Sequence, residues 1–311
     1  MLPLVLTLVS LLAQSVPASQ NDELVRAAKN PYDLARFIDS HLGFDWNVLW
    51  RALGTEGDFI QPCGKLSGGQ QGCSTELITV LNPDQAILLV QGDATPADIY
   101  IRFMHEKNGS WKFAGLQQAF IHNHPRRHEV DRSSGVPFLR VASQGIRGSG
   151  VDSEVEDWYD LTRPEFEPVF SFIAQGHQSR LNFGIGRKVF GYLTAGKNVI
   201  YATLEVHFSG MDSNGEHDLG MASYAFSYSR QDASKTFRLQ TPPKSKITSA
   251  EFAALTDMDE GPSNEDLVRL DLHGLTAVAT GKDNSAKNYL RELLNRCKDT
   301  PEVRQLKSLL R

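Results

Sequence analysis

The densest run of metal-ligand side chains in the sequence is FIHNHPRRHEV, residues 120–130, in which His122, His124 and His128 follow the spacing H-x-H-x3-H. Residues two apart on a strand share a face, so His122 and His124 point the same way, and His128 can return after a turn as a third ligand. Three imidazoles around zinc lower the pKa of a bound water, and Glu129 or Asp131 stands close enough in sequence to accept its proton. This pattern describes a metal-dependent hydrolase.

The surroundings argue against it. Pro125 breaks the strand, and Arg126 and Arg127 put two fixed positive charges where a dication would sit. The H-x-H-x-D-H order of metallo-β-lactamases needs Asp and His at the positions held by Arg126 and Arg127. A polar loop with solvated imidazoles is the plainer reading. Zinc on His122, His124 and His128 therefore stands as the alternative, and no residue is assigned as catalytic or cofactor-binding.

Three other stretches imitate sites. Gly191 to Lys197 matches G-x-x-x-x-G-K, but Asn198 replaces the hydroxyl that would hold Mg²⁺, and a strand rather than a helix follows. Thr194 to Asn198 reads as a hairpin turn instead. Asp212, Asn214, Glu216 and Asp218 offer oxygen ligands without the order of a calcium loop, which leaves a hydrated hairpin. The acidic run from Asp152 to Asp160 sets carboxylates beside Trp158 and Tyr159. Such a group can grip and hydrolyse a sugar, but an edge strand guarded by charge, with its aromatics in the core, explains it more simply. The chain has no G-x-S-x-G, H-E-x-x-H or C-x-x-C motif, and the balance of motifs is against an enzyme.

The elements that must carry these residues fall into zones. Residues 2–13 form an apolar run too short to span a bilayer comfortably, and Val16-Pro17-Ala18 resembles a cleavage site. The expectation is a signal peptide over 1–18, cleaved near Ala18, and a secreted or periplasmic mature chain with no transmembrane segment. Cys63 and Cys73 flank a glycine-rich loop and are expected to form a disulfide, which fits an oxidising compartment. Cys297 is left as a core thiol.

From 19 to 54 the pattern is helical, with Asn30-Pro31 as a cap and first-turn pair and Gly54 as a stop. From 55 to 241 it is a succession of strands. Asn108-Gly109 marks a hairpin. Residues 200–209 alternate without a slip, placing Ile200, Ala202, Leu204, Val206 and Phe208 on one face and Tyr201, Thr203, Glu205, His207 and Ser209 on the other. Tyr224, Phe226 and Tyr228 repeat the period. From 242 to 311 helices return. Leu267, Leu270, Leu275 and Val278 run through 264–280, with Gly274 as the expected break, and Thr300-Pro301 opens the last helix.

The fold expected is mainly β: a large antiparallel meander, as a curved sheet, open barrel or sandwich, with helices at the N- and C-terminal ends. With 41% hydrophobic and 22% charged residues the composition is that of a soluble protein, and a net charge of −5 excludes a nucleic-acid partner. The runs GVPFLRVASQG and EDWYDL (residues 135–145 and 156–161) resemble those of exported bacterial proteins, a likeness that gives no residue a role. The function expected is a non-catalytic binding or interaction module for a protein or small-molecule ligand. One surface for it is the polar face of Tyr201, Glu205 and His207. One variant is a carrier with Tyr224, Phe226 and Tyr228 lining an apolar cavity.

Overall fold

A computed structural model describes residues 19–41, 43–55, 59, 61–63, 65–66, 69–70, 73–78, 83–92, 97–120, 127–148, 150–179, 184–196, 198–230, 236–240, 247–258 and 262–311. The expected signal segment, 1–18, lies outside the described residues, as do His122 and His124. The contacts of the chain divide it into two units, Met1–Gln118 and Ala119–Arg311. Among the described residues the strand-rich zone thus carries antiparallel sheets of four and of eight strands and a two-stranded hairpin.

The first unit opens with α1 (Gln20–Ala27), α2 (Pro31–Ser40) and α3 (Trp46–Leu53). Each starts on a side chain that accepts an orphan N–H: Ser19, Asn30 and Asp45. Asn30 Oδ1 accepts from the Tyr32 N–H at 2.9 Å while Pro31 takes the first helical position. Gly54, at φ 72°, ends α3 in the left-handed region. The strands are β1 (Lys65–Leu66), β2 (Gly69–Gln70), β3 (Cys73–Ile78), β4 (Gln85–Gly92), β5 (Ala97–His105) and β6 (Trp111–Phe120), the last crossing the unit boundary. β1 pairs with β2, and the others form the sheet β3-β4-β5-β6. Leu34, Phe37, Leu49 and Trp50 from the helices bury against Leu88, Val90, Ile101 and Phe103. Cys63 and Cys73 form the expected disulfide, with Cα atoms 5.5 Å apart, and the Trp46 indole N–H donates to Cys63 O at 2.8 Å. That bond fixes the loop to the helical layer.

The second unit is one sheet of consecutive strands: β7 (His128–Asp131), β8 (Phe138–Gly148), β9 (Val151–Asp160), β10 (Pro168–Gln178), β11 (Ile185–Gly196), β12 (Val199–Asp212), β13 (Gly215–Ser229) and β14 (Arg238–Gln240). Every neighbouring pair is antiparallel. The apparent phosphate loop is the β11–β12 hairpin, with Asn198 at φ 61° in its turn. The acidic run is β9, which lies between β8 and β10, so the edge-strand reading of it is overturned. Its charges are held by cross-strand partners, and Trp158 is fully buried as expected.

The sheet is not closed into a barrel, yet its flanks meet at one end. The Phe237 N–H donates to Val169 O at 2.9 Å, joining the approach to β14 with the start of β10. Arg230, just past β13, donates to Asp160 at the end of β9 at 2.5 Å, with both side chains almost without solvent. The rings of Phe138, Phe170 and Phe237 stand about 6 Å apart between them.

The helices α4 (Ser249–Thr256), α5 (Asn264–Leu270), α6 (Leu272–Thr280), α7 (Asn284–Arg296) and α8 (Pro301–Leu309) cover the apolar face. Phe252 of α4 packs on Phe226 at 4.4 Å and Phe172 at 5.9 Å. The break expected at Gly274 falls at Asp271 instead, which leaves the helical region at φ −107°, ψ 25°. Gly274 stays inside α6 for a packing reason. Its Cα would lie 2.9 Å from a Cβ on Gly220, which itself sits at φ 120° in a bulge of β13. Helix and strand therefore touch backbone to backbone. A second glycine seat lies beside it: a Cβ on Gly210 would fall inside the Tyr289 ring of α7, whose hydroxyl donates to Gly184 O at 2.7 Å. Among the described residues no helix is long and apolar enough to cross a membrane.

Burial raises the Asp271 carboxyl to about 8, with Asp218 adding to the rise and the Gly274 N–H opposing it. The native state therefore keeps a proton that the unfolded chain releases near pH 4. The stability from this group is complete below that pH and is lost as pH rises through about 8, at roughly 1.4 kcal/mol per pH unit in between. Asp271→Asn should remove the dependence: in thermal melts the variant should gain on the parent chain from pH 5 to pH 8 and then level off. A difference that stays constant with pH contradicts a neutral Asp271. Gly220→Ala adds backbone strain to a backbone clash and should cost about 2–4 kcal/mol in denaturant unfolding; a loss below about 0.5 kcal/mol contradicts the seat.

Candidate binding face

With the helices on one side of the eight-stranded sheet, the other side of its central strands is wet. On β12 the expected alternation holds: Ile200, Ala202, Leu204, Val206 and Phe208 are buried, and Tyr201 and His207 are exposed, with Thr203, Glu205 and Ser209 half-buried. β11 presents Lys188, Phe190, Tyr192 and Thr194 in the same direction, because it pairs with β12 as Lys188↔His207, Phe190↔Glu205 and Tyr192↔Thr203. β13 adds Met221, opposite His207, and Ser223, opposite Glu205. Tyr192, Tyr201 and Met221 are each more than half exposed, which is unusual for side chains of this size on interior strands.

A straight row crosses six strands. Arg147 on β8 faces Asp152 on β9, which faces His177 on β10, then Lys188, then His207, then Met221. Directly opposed residues bring their Cβ atoms to about 5 Å, so the row acts as one strip. Three open hollows lie along it and share Lys188. One of 190 Å³ is bounded by Asp152, His177 and Phe190. One of 300 Å³ lies between His177, Ser209, Met211 and Glu216. The largest, of 470 Å³, lies between Phe190, His207, Glu216 and Asp218. Phe190 meets the His207 ring edge to face at 5.6 Å. Lys188 Nζ stands 3.5 Å from Glu216 Oε1, and Asp218 Oδ1 accepts the Gly220 N–H at 2.9 Å, which orients it at the bulge.

A second cleft, of 390 Å³, opens over β7 to β9 between Arg127, His128, Glu129, Arg140 and Glu156. Its charges answer one another. Arg140 donates to both oxygens of Glu156, at 2.8 and 3.2 Å, stands 3.7 Å from Glu129 and 3.6 Å from Asp131, and lies 4.8 Å over the Trp158 ring. Partial burial works against the guanidinium charge, but these carboxylates outweigh it and raise its pKa. Arg127 pairs with the buried Glu154. The cleft is a set of ion pairs over an indole, more a clamp between strands than a vacant ligand shell.

The sequence-derived candidates sort accordingly. His128 lies on β7, in the cleft with the two guanidinium groups, and His122 and His124 fall outside the described residues. Among the described residues no three His, Cys, Asp or Glu side chains are grouped to hold a metal. Asp212 of the calcium-like loop spends its carboxylate on the turn: Oδ1 accepts the Asn214 N–H at 2.7 Å and faces His217 Nε2 at 3.0 Å. Tyr201, Glu205 and His207 form part of the wet face, as their period predicts. Sequence reasoning missed their partners Lys188, Phe190 and Tyr192. The signal is there in the alternation of β11, but its inward residues include Gly191, over which Phe172 and Ile173 O sit too closely for any side chain, so the apolar half of the period is weak.

The zinc alternative has a direct check. Elemental analysis of the full chain after dialysis without chelator should give well under 0.1 zinc per chain, and His128→Ala should not change it. Near-stoichiometric zinc lost in that variant contradicts the ion-pair reading of the cleft. Comparisons with protein-family models, with curated proteins and with solved structures find no match for this chain.

Proposed function

We propose that this chain is an exported, non-catalytic binding module whose binding surface is the outward face of β10 to β13. The observation that carries the reading is the exposure of Tyr192, Tyr201 and Met221 on interior strands, on the same face as the hollows that share Lys188. Tyrosine supplies a large, stiff contact area with a polar end at little cost in side-chain entropy, which is why it is favoured at binding surfaces. Polar neighbours such as Thr203, Glu205, His207 and Ser223 supply the directional contacts that select a ligand.

The carrier variant is set aside in favour of the surface. Of Tyr224, Phe226 and Tyr228, the residues that would line an apolar cavity, Phe226 and Tyr228 are buried under Phe252 and against Phe170, and Tyr224 is half-buried with its hydroxyl donating to Leu270 O at 3.3 Å. Their place is taken by core. Export is supported by the apolar run at 2–13 and by the Cys63–Cys73 disulfide, a bond that persists in oxidising compartments. The net charge of −5 favours a protein or small-molecule ligand over nucleic acid.

The test is a thermal-shift screen of the full chain against small molecules, sugars and peptides, repeated on the Tyr192→Ser, Tyr201→Ser double variant. Both residues are exposed, so the variant should stay within about 1 kcal/mol of the parent in stability. Ligands that stabilise the parent should lose at least tenfold in affinity for the variant. Ligands that bind both proteins equally would place the binding surface elsewhere.

A further inference from the structure

β10 leaves β11 at Gly191. The two strands pair from Gln178↔Arg187 to Gln175↔Phe190 and no further, although β11 runs on to Gly196. Beyond that point β10 pairs with β9, and Val169 O takes the Phe237 N–H. A Cβ on Gly191 would meet Ile173 O and the Phe172 ring, so β10 crosses over the inner side of β11 instead of continuing beside it. Residues 192–196 therefore have β12 on one side and, among the described residues, no strand on the other.

The bare side carries backbone groups. Gly196 pairs with Val199 across a two-residue turn, so those two exchange hydrogen bonds, and the alternation along the strand turns the N–H and C=O of Leu193 and Ala195 away from β12. The Arg230 N–H, which donates to Asn198 O, agrees with this phase, because it assigns the other set of β12 groups to β13. Among the described residues no backbone hydrogen bond reaches Leu193 or Ala195 from the bare side.

Folded proteins guard such edges with charge or keep them short. The two ends of this sheet are guarded: β7 has four residues, with Glu129 and Asp131, and β14 has three, with Arg238. Residues 191–196, Gly-Tyr-Leu-Thr-Ala-Gly, carry no charge and no proline. They are also self-complementary. A twofold axis through Thr194, perpendicular to the sheet, sets Leu193 of one copy opposite Ala195 of the other, where their backbone groups can pair. The same axis sets Tyr192 opposite Gly196. The Tyr201 ring lies over Gly196, 3.4 Å from where a Cβ would stand. Tyr192 of each copy then meets Tyr201 of the other, which gives both of these exposed rings a neighbour. We propose that this edge of β11 pairs with the same edge of a second copy, joining two sheets into one in a symmetric dimer. The inference goes beyond the reading of the outward face and depends on no ligand.

The contact involves far fewer than the roughly 20–30 residues a side of a standard interface, so the dimer should be weak and dissociate on dilution, with a dissociation constant on the order of 10–100 μM. Sedimentation of the full chain over a range of concentrations up to about 500 μM should show this reversible dimer. Thr194→Lys, an exposed substitution that sets like charges against each other on the axis, should weaken it at least tenfold. Thr194→Cys should form a disulfide between copies on mild oxidation, because a pair on the axis has Cα atoms about 4.5 Å apart, within reach of the bond. Ser223→Cys, exposed on the same face but on β13, should not, and neither should the parent chain with Cys297. A parent chain that stays monomeric throughout overturns the proposal and leaves the edge to a strand of another protein. A dimer unchanged by Thr194→Lys, or cross-linking no faster at Thr194→Cys than at Ser223→Cys, places the contact elsewhere and overturns it too. None of these readouts involves a ligand, so the screen with the tyrosine variants decides separately whether the face binds one.

Discussion

The second unit depends on two places where a helix lies directly on strand backbone. At Gly220 and Gly274 the chains of β13 and α6 touch without side chains between them, and at Gly210 the Tyr289 ring of α7 takes the place of a Cβ. Contact this close is what allows short helices to seal the apolar face of so long a sheet. A helix stripe needs a partner surface, and isolated helices of this length are marginal in water. The cost of the approach is a buried carboxyl, Asp271, which stays neutral rather than expose α6 to solvent.

From that seam the division of labour between the two faces follows. The side occupied by Leu267, Leu275, Tyr289, Leu290 and Leu294 is sealed as core, and the meeting of the flanks at Arg230, Asp160 and Phe237 closes its end. Both partners of that ion pair are buried, so removing either would strand a charge. The opposite face is open to solvent. It lies on interior strands, whose backbone groups are satisfied by neighbours except where β11 runs on past Gly191, so up to that point it offers side chains rather than a strand edge.

Much of the architecture was legible in the sequence because it rests on local rules. Asn30-Pro31, Asn108-Gly109 and Thr300-Pro301 mark ends of elements by backbone chemistry alone, and the period of residues 200–209 assigns each side chain to a face. The Cys63–Cys73 bridge follows from a short loop rich in glycine. What could not be read depends on contacts between distant segments. Nothing near Gly274 in sequence says that it answers Gly220, so it read as a helix break. The charges of β9 looked like an edge guard because their partners Arg127, just before β7, and Arg140, on β8, lie elsewhere in the chain. Half of the wet face was visible in β12, and the other half was hidden because Gly191 weakens the period of β11.

The central claim is that the helices seal one face of the eight-stranded sheet and leave the other to solvent. Tyrosine nitration of the folded chain, followed by peptide mass spectrometry, tests it most directly. Tyr192 and Tyr201 should react rapidly, while Tyr228 and Tyr289, on the sealed side, should react only under unfolding conditions. Rapid modification of Tyr228 or Tyr289, with Tyr192 and Tyr201 protected, would mean that the helices lie on the other face and would contradict both the packing and the binding surface drawn from it.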